Sequence, residues 1–510
     1  MPRLTRREFL KLAALYSAGA SMPPVMTKLL ATKPAGNSSL PNIIIFVFDA
    51  MTARDLSVYG FTRETTPNFK RFAERAIVYN SHYSAGNFTI PGTASLLTGM
   101  YPWTHRAINE SGQVLPRLTD RNVFRLMGDG YNRYAYGQNV WADIFLNQFA
   151  VDLEHHLPSR SFGEISPWLD TEFLNDGNMG YRAVDTFLFS KTNPPASLLF
   201  GSLDRLLGFE KSKRLKDKDY PRGLPETPTA ASYYRLADTI DGLMSTLTEL
   251  ENPYFGYFHI QAPHEPYNPT RDFYHHFEDD SWTPPSKPRH VLAANGDTDE
   301  RVNARRLSYD RFIANLDDEF GRMLDRLEEL GIRDNSYIIL TADHGEMFER
   351  GVRGHSTPLL YGPVIHIPLL ISTPGQTGRV DVHTNTSSVD VLPTLLHLVG
   401  QDIPDWCEGE LLPELGGVDD PQRSVFSVEA KLNSAFAPLR TVSVAMHKGD
   451  YKITIYRGYT SEDIFEVYNL KSDPEELDDL VLKNDPVVDG LRNELLARLD
   501  EANNAFSAAN

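Results

Sequence analysis

Four short runs of apolar residues stand out along the chain, each rich in β-branched or aromatic side chains. Each run is shorter than an ordinary helix and is bounded by polar or turn-forming residues, a pattern typical of a strand buried on both faces. The runs are Asn42–Asp49 (NIIIFVFD), Tyr254–Ile260 (YFGYFHI), Tyr337–Ala342 (YIILTA) and Ile367–Ser372 (IPLLIS). They predict strands of one sheet.

A helical pattern precedes the third run. Between 309 and 330 the apolar positions recur at helical spacing, and Gly331 then supplies a residue that favours a helix end. The apolar stripe consists of Phe312, Leu316, Phe320, Leu324 and Leu327. Strands that alternate with helices predict an α/β fold, in which helices flank a large mixed, mostly parallel sheet.

The C-terminal part of the chain has a different pattern. Thr441–His447 and Asp450–Tyr456 alternate in polarity like antiparallel strands, and a helical pattern covers Asp489–Ala502. We therefore expect a large domain over 42–415 and a smaller C-terminal α+β subdomain over 420–510. Residues 145–250 are rich in Phe, Asp, Asn, Lys and Pro, and we expect an insertion of loops and helices there, above the sheet, that shapes a pocket.

The N-terminus resembles an export signal. Residues 5–11 read TRREFLK and precede the weakly apolar run LAALYSAGASM, which matches the twin-arginine pattern. The alternative is a basic amphipathic helix that merely starts the protein. We expect a signal at 1–32, a linker at 33–41, the twin-arginine export machinery as a partner, and a periplasmic or cell-surface location in a prokaryote. No run is long enough to span a bilayer, so no integral span is expected beyond the signal.

The net charge and the cysteine content limit which binding partners and metal sites are expected. The net charge is −18, with 68 acidic and 50 basic residues, which opposes binding to a phosphate backbone and argues against nucleic acid. Cys407 is the single cysteine, so neither an intramolecular disulfide nor a multi-cysteine metal site can form. A divalent metal is a more natural partner for the excess carboxylates.

Polar residues follow three of the predicted strands. Asp49 ends the first run, Asp343 and His344 follow the third, and His264 follows the second. Ligands of open parallel sheets bind beyond the carboxyl ends of the strands. Aspartate and histidine together suit one divalent ion, namely Mn²⁺, Zn²⁺, Ca²⁺ or Mg²⁺.

Each of these residues also has a structural interpretation. Asp49 would cap a helix that starts at Thr52, Asp343 and His344 would form a turn before a helix, and His264 would be a loop residue between prolines. Three such residues at strand ends are harder to explain by these separate roles than by one shared site.

The stretch TIPGTASLLTG, residues 89–99, is rich in hydroxyl groups. Pro91 and Gly92 predict a helix start, with the Thr89 hydroxyl just before the helix N-terminus, where anions are favoured. A threonine hydroxyl is a weak nucleophile unless it is activated. Coordination of Thr89 to a metal ion held by Asp49, Asp343 and His344 would activate it, so Thr89 is expected to be a metal ligand as well as the nucleophile. The alternative is that Thr89 only caps the helix.

Several stretches together resemble the sulfatases within the alkaline phosphatase superfamily, from about residue 40 to 482. They occur in the order of that family: NIIIFVFDAMTARDLSVYG, TPNFKRFAERAIVYNSHYSAG, TIPGTASLLTGMYPWTH, YFGYFHIQAPHEPY, YIILTADHGE, IPLLISTPG, SSVDVLPTLLHLVG and FEVYNLKSDPEELDDLV. The resemblance implies a large α/β catalytic domain with a smaller C-terminal domain. It also implies that Asp49, Asp343 and His344 ligate a metal, that Thr89 stands at the nucleophile position, and that His264 and His355 bind substrate.

The sequence departs from the family pattern at the nucleophile. Sulfatases carry Cys or Ser in a Cys/Ser-x-Pro-x-Arg motif that is oxidised to formylglycine, whereas this chain has Thr89 and, in place of the arginine, Thr93. Ala50 replaces the usual second aspartate, and 137–139 lacks the usual lysine. Threonine cannot become formylglycine, and related phosphoglycerol transferases and nucleotide phosphodiesterases use threonine nucleophiles.

These observations predict a metal-dependent hydrolase that cleaves a phosphate ester, or a sulfate ester, through a covalent intermediate on Thr89. A phosphothreonine is easier to resolve at a metal site than a threonine sulfate, so phosphate is favoured. The substrate is expected to be a small-molecule, glycan or lipid-headgroup ester. The alternatives are a sulfatase that works without formylglycine and an inactive surface protein that binds a glycan or lipid headgroup.

Overall fold

The computed structural model describes residues 40–163, 206, 218–227, 233–294 and 296–508. The predicted signal at 1–32 and linker residues 33–39 lie outside the described residues, as does most of the predicted insertion at 145–250. The described residues belong to one compact unit, Asn37–Asn510.

The strands and helices of this unit have the following bounds. The strands are β1 Asn42–Phe48, β2 Ile77–Tyr79, β3 His82–Tyr83, β4 Asn132–Gly137, β5 His155–Leu157, β6 Tyr254–Ile260, β7 Ser336–Thr341, β8 Met347–Glu349, β9 Val352–Gly354, β10 Leu369–Ser372, β11 Val380–Val382, β12 Thr386–Ser387, β13 Ser424–Glu429, β14 Val442–Lys448, β15 Tyr451–Arg457 and β16 Ile464–Asn469. The α-helices are α1 Pro67–Ala73, α2 Thr89–Thr98, α3 Pro102–His105, α4 Val123–Leu126, α5 Val140–Gln148, α6 Leu236–Glu249, α7 Arg271–Tyr274, α8 Asp299–Glu329, α9 Gly362–Ile365, α10 Val391–Leu398 and α11 Val487–Ala508.

Within the described residues, eight strands form a large sheet in the order β11-β2-β10-β7-β1-β6-β4-β5. Adjacent strands of this sheet are parallel, except that β10 runs antiparallel to both β2 and β7. Every residue of β1 is buried, as expected for a central strand covered on both faces. The predicted mixed, mostly parallel sheet is confirmed.

The side chains of β1 alternate between two cores, one on each face of the sheet. Ile43, Ile45 and Val47 pack with apolar residues of α2, α5 and α10. Ile44, Phe46 and Phe48 pack on the other face against α1, α6 and α8. These helical layers confirm the predicted α/β architecture, and each large apolar side chain fully buried there contributes about 1.5–3 kcal/mol to folding.

Helix α8 begins at Asp299, ten residues before the predicted start at 309. The early start was missed because the segment DERVNARRLS is mostly charged or polar, and its inward face is partly ionic. Arg306 is buried there in an ion pair with Asp55. The predicted end is correct, since Gly331 takes a left-handed φ of 66° directly after the last turn.

The C-terminal part of the chain forms a four-stranded antiparallel sheet in the order β13-β14-β15-β16. Helix α11 packs on it through Leu491, Leu495 and Leu499, which share a core with Val444 and Ile453. The two strands predicted here differ from β14 and β15 by one residue at each end. The antiparallel C-terminal region is confirmed.

The two described ends of the stretch 145–250 differ from the expected insertion above the sheet. Strand β5 extends the large sheet by pairing with β4, and α6 packs in the helical layer beside α8. Within the described residues, no helix combines the length and the apolar character needed to cross a membrane.

Candidate active site

Three neighbouring strands bring acidic and imidazole side chains to one edge of the large sheet. Val47 pairs with His259 on one side and with Thr341 on the other, and residues side by side in a parallel pair share a face. Asp49 and Asp343 each lie two residues further on, so their side chains return to that face. The register therefore explains why Asp49, His259 and Asp343 meet.

The polar atoms of this cluster are close together and completely buried. His344 Nε2 lies 3.5 Å from Asp49 Oδ1 and 3.6 Å from Asp343 Oδ2. His259 Nε2 lies 3.5 Å from Asp49 Oδ2 and 3.6 Å from Asp343 Oδ2. All four side chains are 0% exposed, so water does not screen their charges.

The main chain and one amide fix the two carboxylates. Asp343 Oδ1 accepts hydrogen bonds from the main-chain N–H of Ala50, at 3.2 Å, and of His344, at 2.9 Å. Asp49 Oδ2 accepts from the side-chain amide of Asn139. Ala50 holds a left-handed φ of 61°, and the Tyr309 hydroxyl donates to its carbonyl at 2.6 Å.

The residues present fit a divalent metal ion. In the part of the chain that the structure describes, four buried atoms have no hydrogen-bond partner: Asp49 Oδ1, Asp343 Oδ2 and both ring nitrogens of His259. Burial of such atoms is costly unless another ligand satisfies them. One ligand atom from each of Asp49, His259 and Asp343 lies within 4.8 Å of the others. Mixed carboxylate and imidazole donors suit Zn²⁺ or Mn²⁺ better than Ca²⁺, which prefers oxygen ligands.

Electrostatics also favour a cation in this cluster. Burial, reinforced by the neighbouring carboxylate of Asp343, raises the pKa of Asp49 well above its ordinary value. Burial lowers the pKa of His259 to about 4 and that of His355 to about 3, and it lowers the pKa of His344 well below its ordinary value. These three imidazoles are neutral at pH 7, the form that ligates metals or accepts a proton.

Thr89 lies at the start of α2, against the same cluster. Its Oγ1 atom is 3.3 Å from His344 Nε2, and the residue is 3% exposed. The expectation that the helix starts at Pro91–Gly92 is wrong by two residues, since Thr89 is the first helical residue and Phe88 holds the N-cap position. Because Phe88 holds the N-cap position, Thr89 is not the helix cap. Pro91 is tolerated inside the first turn because an N–H group there would have no partner within the helix.

The histidines near Thr89 share one hydrogen-bonding pattern. Nδ1 of His344 lies 2.8 Å from the Gly345 carbonyl, and Nδ1 of His264 lies 2.8 Å from the Glu265 carbonyl. A carbonyl only accepts, so Nδ1 of each ring donates to it, and Nε2 of each ring is left for other partners. His355 stands between these two, with ring centroids 4.3 Å from His344 and 5.1 Å from His264.

All six residues predicted for the site lie in this region. Asp49, Asp343, His344 and Thr89 form the buried centre, and His264 and His355 lie beside it. Sequence reasoning missed His259, because a single histidine inside an apolar strand is typical of a core residue. It also missed Asn139, which occupies the stretch where the family lysine is absent and donates to Asp49.

Comparisons with known proteins identify the family of this chain. The family model described as Sulfatase matches residues 41–401, and the model described as N-sulphoglucosamine sulphohydrolase, C-terminal, matches residues 355–505. A choline-sulfatase of Rhizobium meliloti is 24% identical over 463 residues, covering 86% of this chain and 82% of that protein. The multifunctional alkaline phosphatase superfamily protein PehA of Trinickia caryophylli is 24% identical and covers 81% of this chain and 85% of that protein.

Solved structures show the same fold. A phosphonate monoester hydrolase of Agrobacterium radiobacter superposes with a TM-score of 0.65 at 18% identity, covering 91% of this chain and 96% of that chain. The phosphonate monoester hydrolase SpPMH of Silicibacter pomeroyi gives a TM-score of 0.63 at 19% identity, over 91% of this chain and 96% of that chain. The prediction of an ester-bond hydrolase is confirmed, and the chain belongs to the sulfatase family.

Proposed function

We propose that this protein is a metal-dependent hydrolase that cleaves a phosphate ester, or less readily a sulfate ester, through a covalent intermediate on Thr89. The observation that carries the proposal is the 3.3 Å contact between Thr89 Oγ1 and His344 Nε2. It joins a hydroxyl group to a buried cluster of carboxylates and imidazoles that fits a divalent ion.

Asp49, Asp343 and His344 would hold the ion, with His259 as a further donor. When bound there, the ion would lower the pKa of the Thr89 hydroxyl and neutralise charge on the oxygens around the attacked atom. The N-terminus of α2 adds main-chain N–H groups whose partial positive charge favours an anionic group.

The side chains of this chain then have separate tasks. Thr89 Oγ attacks the phosphorus or sulfur atom, and the bond to the leaving alcohol breaks. His264 Nε2, oriented because Nδ1 is bonded to the Glu265 carbonyl, binds or protonates an oxygen of the substrate. Attack by water releases the product and restores Thr89.

A threonine nucleophile favours phosphate over sulfate. A formylglycine hydrate expels sulfate by re-forming its carbonyl group, whereas a threonine ester has to be hydrolysed by water. The solved structures of phosphonate monoester hydrolases support phosphorus chemistry. Relatives named choline-sulfatase and N-acetylgalactosamine-6-O-sulfatase, and BT4656, solved with D-glucosamine-2-N,6-O-disulfate, support sulfate as the second candidate and a small-molecule or sugar ester as substrate.

The test is an assay of the purified protein against aryl phosphate monoesters, aryl phosphate diesters and aryl sulfates, with Mn²⁺, Zn²⁺, Ca²⁺ or a chelator. We expect metal-dependent turnover of a phosphate ester that is abolished in Thr89→Ala. Thr98→Ala is the matched control, because Thr98 lies on the same helix and its hydroxyl bonds only to the Ala94 carbonyl in the described structure. Undiminished turnover by Thr89→Ala would contradict the proposal, and the faster substrate class decides between phosphate and sulfate.

We further propose that the protein is exported through the twin-arginine route and acts in the periplasm or at the cell surface. The support is the sequence TRREFLK at residues 5–11. Replacing Arg6 and Arg7 by lysine is expected to retain the protein inside the cell, as measured by fractionation. Export that continues in this variant would contradict the route.

A further inference from the structure

A second group of polar residues lies beside His344, the histidine that contacts Thr89, and has no role in the steps above. Glu346, which is 0% exposed, has two partners for its carboxylate. The Tyr267 hydroxyl donates to Oε2 at 2.9 Å, and His355 Nδ1 lies 3.0 Å from Oε1. The residue follows Asp343-His344-Gly345 directly, so the turn that carries two of the predicted metal ligands also carries this carboxylate.

The contact with Glu346 fixes the proton on the His355 ring. In its ionised form, the Glu346 carboxylate accepts a hydrogen bond from Nδ1 of His355, and Nε2, on the other side of the ring, is then free to accept a proton. This is the way in which a carboxylate orients the histidine of a catalytic triad. Tyr267 in turn holds Glu346, so two hydrogen bonds determine the orientation of His355.

His355 is also the member of the cluster that water reaches. Its side chain is 16% exposed, whereas those of Asp49, His259, Asp343 and His344 are 0% exposed. Its ring centroid is 4.3 Å from that of His344, whose Nε2 contacts Thr89 Oγ1. His355 is therefore partly open to solvent and packs against the histidine that contacts the nucleophile.

The proposed reaction needs a base in this place. A phosphate or sulfate ester of Thr89 cannot be released by re-forming a carbonyl group, as it can from a formylglycine hydrate. Water therefore has to attack the ester, and the attacking water needs a proton acceptor. We infer that Glu346, held by Tyr267, is a positioning residue that presents His355 as the general base for hydrolysis of the Thr89 ester. This inference rests on the proposed covalent mechanism.

The step balances without a further reactant. A water proton passes to His355 Nε2 while the water oxygen forms a bond to phosphorus. The bond from phosphorus to Thr89 Oγ breaks, and its electron pair returns to Oγ. The imidazolium then returns its proton to Oγ, which regenerates neutral His355 and the Thr89 hydroxyl.

The experiment separates formation of the covalent ester from its hydrolysis. Glu346→Gln and Tyr267→Phe are compared with wild type in stopped-flow assays with nitrophenyl phosphate or nitrophenyl sulfate, whichever wild type turns over faster. Steady-state turnover should fall on the order of 100-fold in Glu346→Gln and about tenfold in Tyr267→Phe. Both variants should keep a burst of nitrophenol, and mass spectrometry of quenched samples should find the acid group on the peptide that contains Thr89.

Two controls make each outcome decisive. Glu466→Gln changes another glutamate, one that is partly buried and accepts from Tyr361 and Tyr456, and it should accumulate no adduct. Thr89→Ala should form no adduct at all, and an adduct or full turnover there overturns the covalent mechanism itself. If Thr89 forms the adduct in wild type but Glu346→Gln and Tyr267→Phe hydrolyse it at the wild-type rate, or lose the burst, the role of Glu346 and His355 is overturned while the mechanism stands.

Discussion

Gly92 of α2 lies directly against the main-chain carbonyl of Asp343. A β carbon built at Gly92 would come within 2.2 Å of that oxygen, far inside van der Waals contact. Glycine at this position therefore sets how closely the helix that carries Thr89 approaches the strand end that carries Asp343 and His344.

Substitution of Gly92 should therefore damage activity and stability together. Gly92→Ala has to move α2 away from Asp343, so we expect kcat to fall on the order of 100-fold and the free energy of unfolding to fall by about 1–3 kcal/mol. Gly490→Ala is the control, because among the described residues a β carbon there would have no neighbour within 4 Å beyond the adjoining residues and the backbone of its own helix. Steady-state kinetics and urea unfolding check both effects, and equal activity of the two variants would contradict the prediction.

Removal of His259 should weaken metal binding. Among the described residues its two ring nitrogens have no hydrogen-bond partner, and Nε2 faces the carboxylates of Asp49 and Asp343. We therefore expect His259→Ala to lower the affinity for Zn²⁺ or Mn²⁺ by at least about tenfold. Metal content after dialysis, measured by mass spectrometry, reports this without reference to activity.

His447→Ala is the matched control for this measurement. His447 is also buried, and neither of its ring nitrogens has a hydrogen-bond partner among the described residues, but its ring stacks on Tyr83 with centroids 3.6 Å apart. It should keep the wild-type metal content. The same metal content in both variants would show that His259 is not a ligand.

His105 should make the protein less stable in acid. The ring is buried, its Nδ1 accepts from the N–H of Ala107 at 3.0 Å, and Nε2 lies 3.0 Å from Ser95 Oγ. Burial lowers the pKa of His105 to about 3, against about 6.5 in the unfolded chain. Its stabilising contribution is therefore complete above pH 6.5 and is lost as pH falls towards 3, by about 1.4 kcal/mol per pH unit.

His105→Asn tests this contribution, because asparagine keeps an acceptor for Ala107 but does not titrate. Urea unfolding of both proteins between pH 7 and pH 4 should give a shallower loss of stability for the variant. Parallel curves for the two proteins would exclude His105 as a cause of acid sensitivity.

The buried pair Lys452–Glu476 should be important for stability. The two side chains are 2.5 Å apart and 1% and 2% exposed, and Glu476 also accepts from the N–H of Gly362 at 2.8 Å. Lys452→Met leaves an unpaired buried carboxylate, so we expect a loss of about 3–5 kcal/mol in urea unfolding. Lys452→Met combined with Glu476→Gln should recover part of that loss, and strict additivity of the two single changes would argue against coupling.

The sequence was most informative where a strand ends. Asp49, Asp343 and His344 follow nearly continuous apolar runs, and parallel strands bring their carboxyl ends to one edge, so their meeting could be predicted without the structure. The large sheet, helix α8 after residue 309 and the C-terminal strands also have clear periodicity.

Two features depended on information that periodicity does not carry. His259 belongs to the site only because its register with Val47 turns it towards Asp49, and register is a relation between distant segments. The start of α2 at Thr89 was missed because proline and glycine were interpreted as the first helical residues, whereas the first turn tolerates both. A histidine one residue before the end of a strand, beside a strand that is followed directly by aspartate, is the signal that predicts a further ligand.

The hydrogen bond from the Ala50 N–H to Asp343 Oδ1 joins residues 293 positions apart in the chain. The central strand β1 pairs with β6 and β7, both of which are synthesised long after it. During translation, Asp49 therefore leaves the ribosome before the strands that carry its partners have been made. Contacts between residues so far apart in the sequence form slowly. No N-terminal fragment that stops before residue 344 can contain the site, so a truncated chain is expected to be inert.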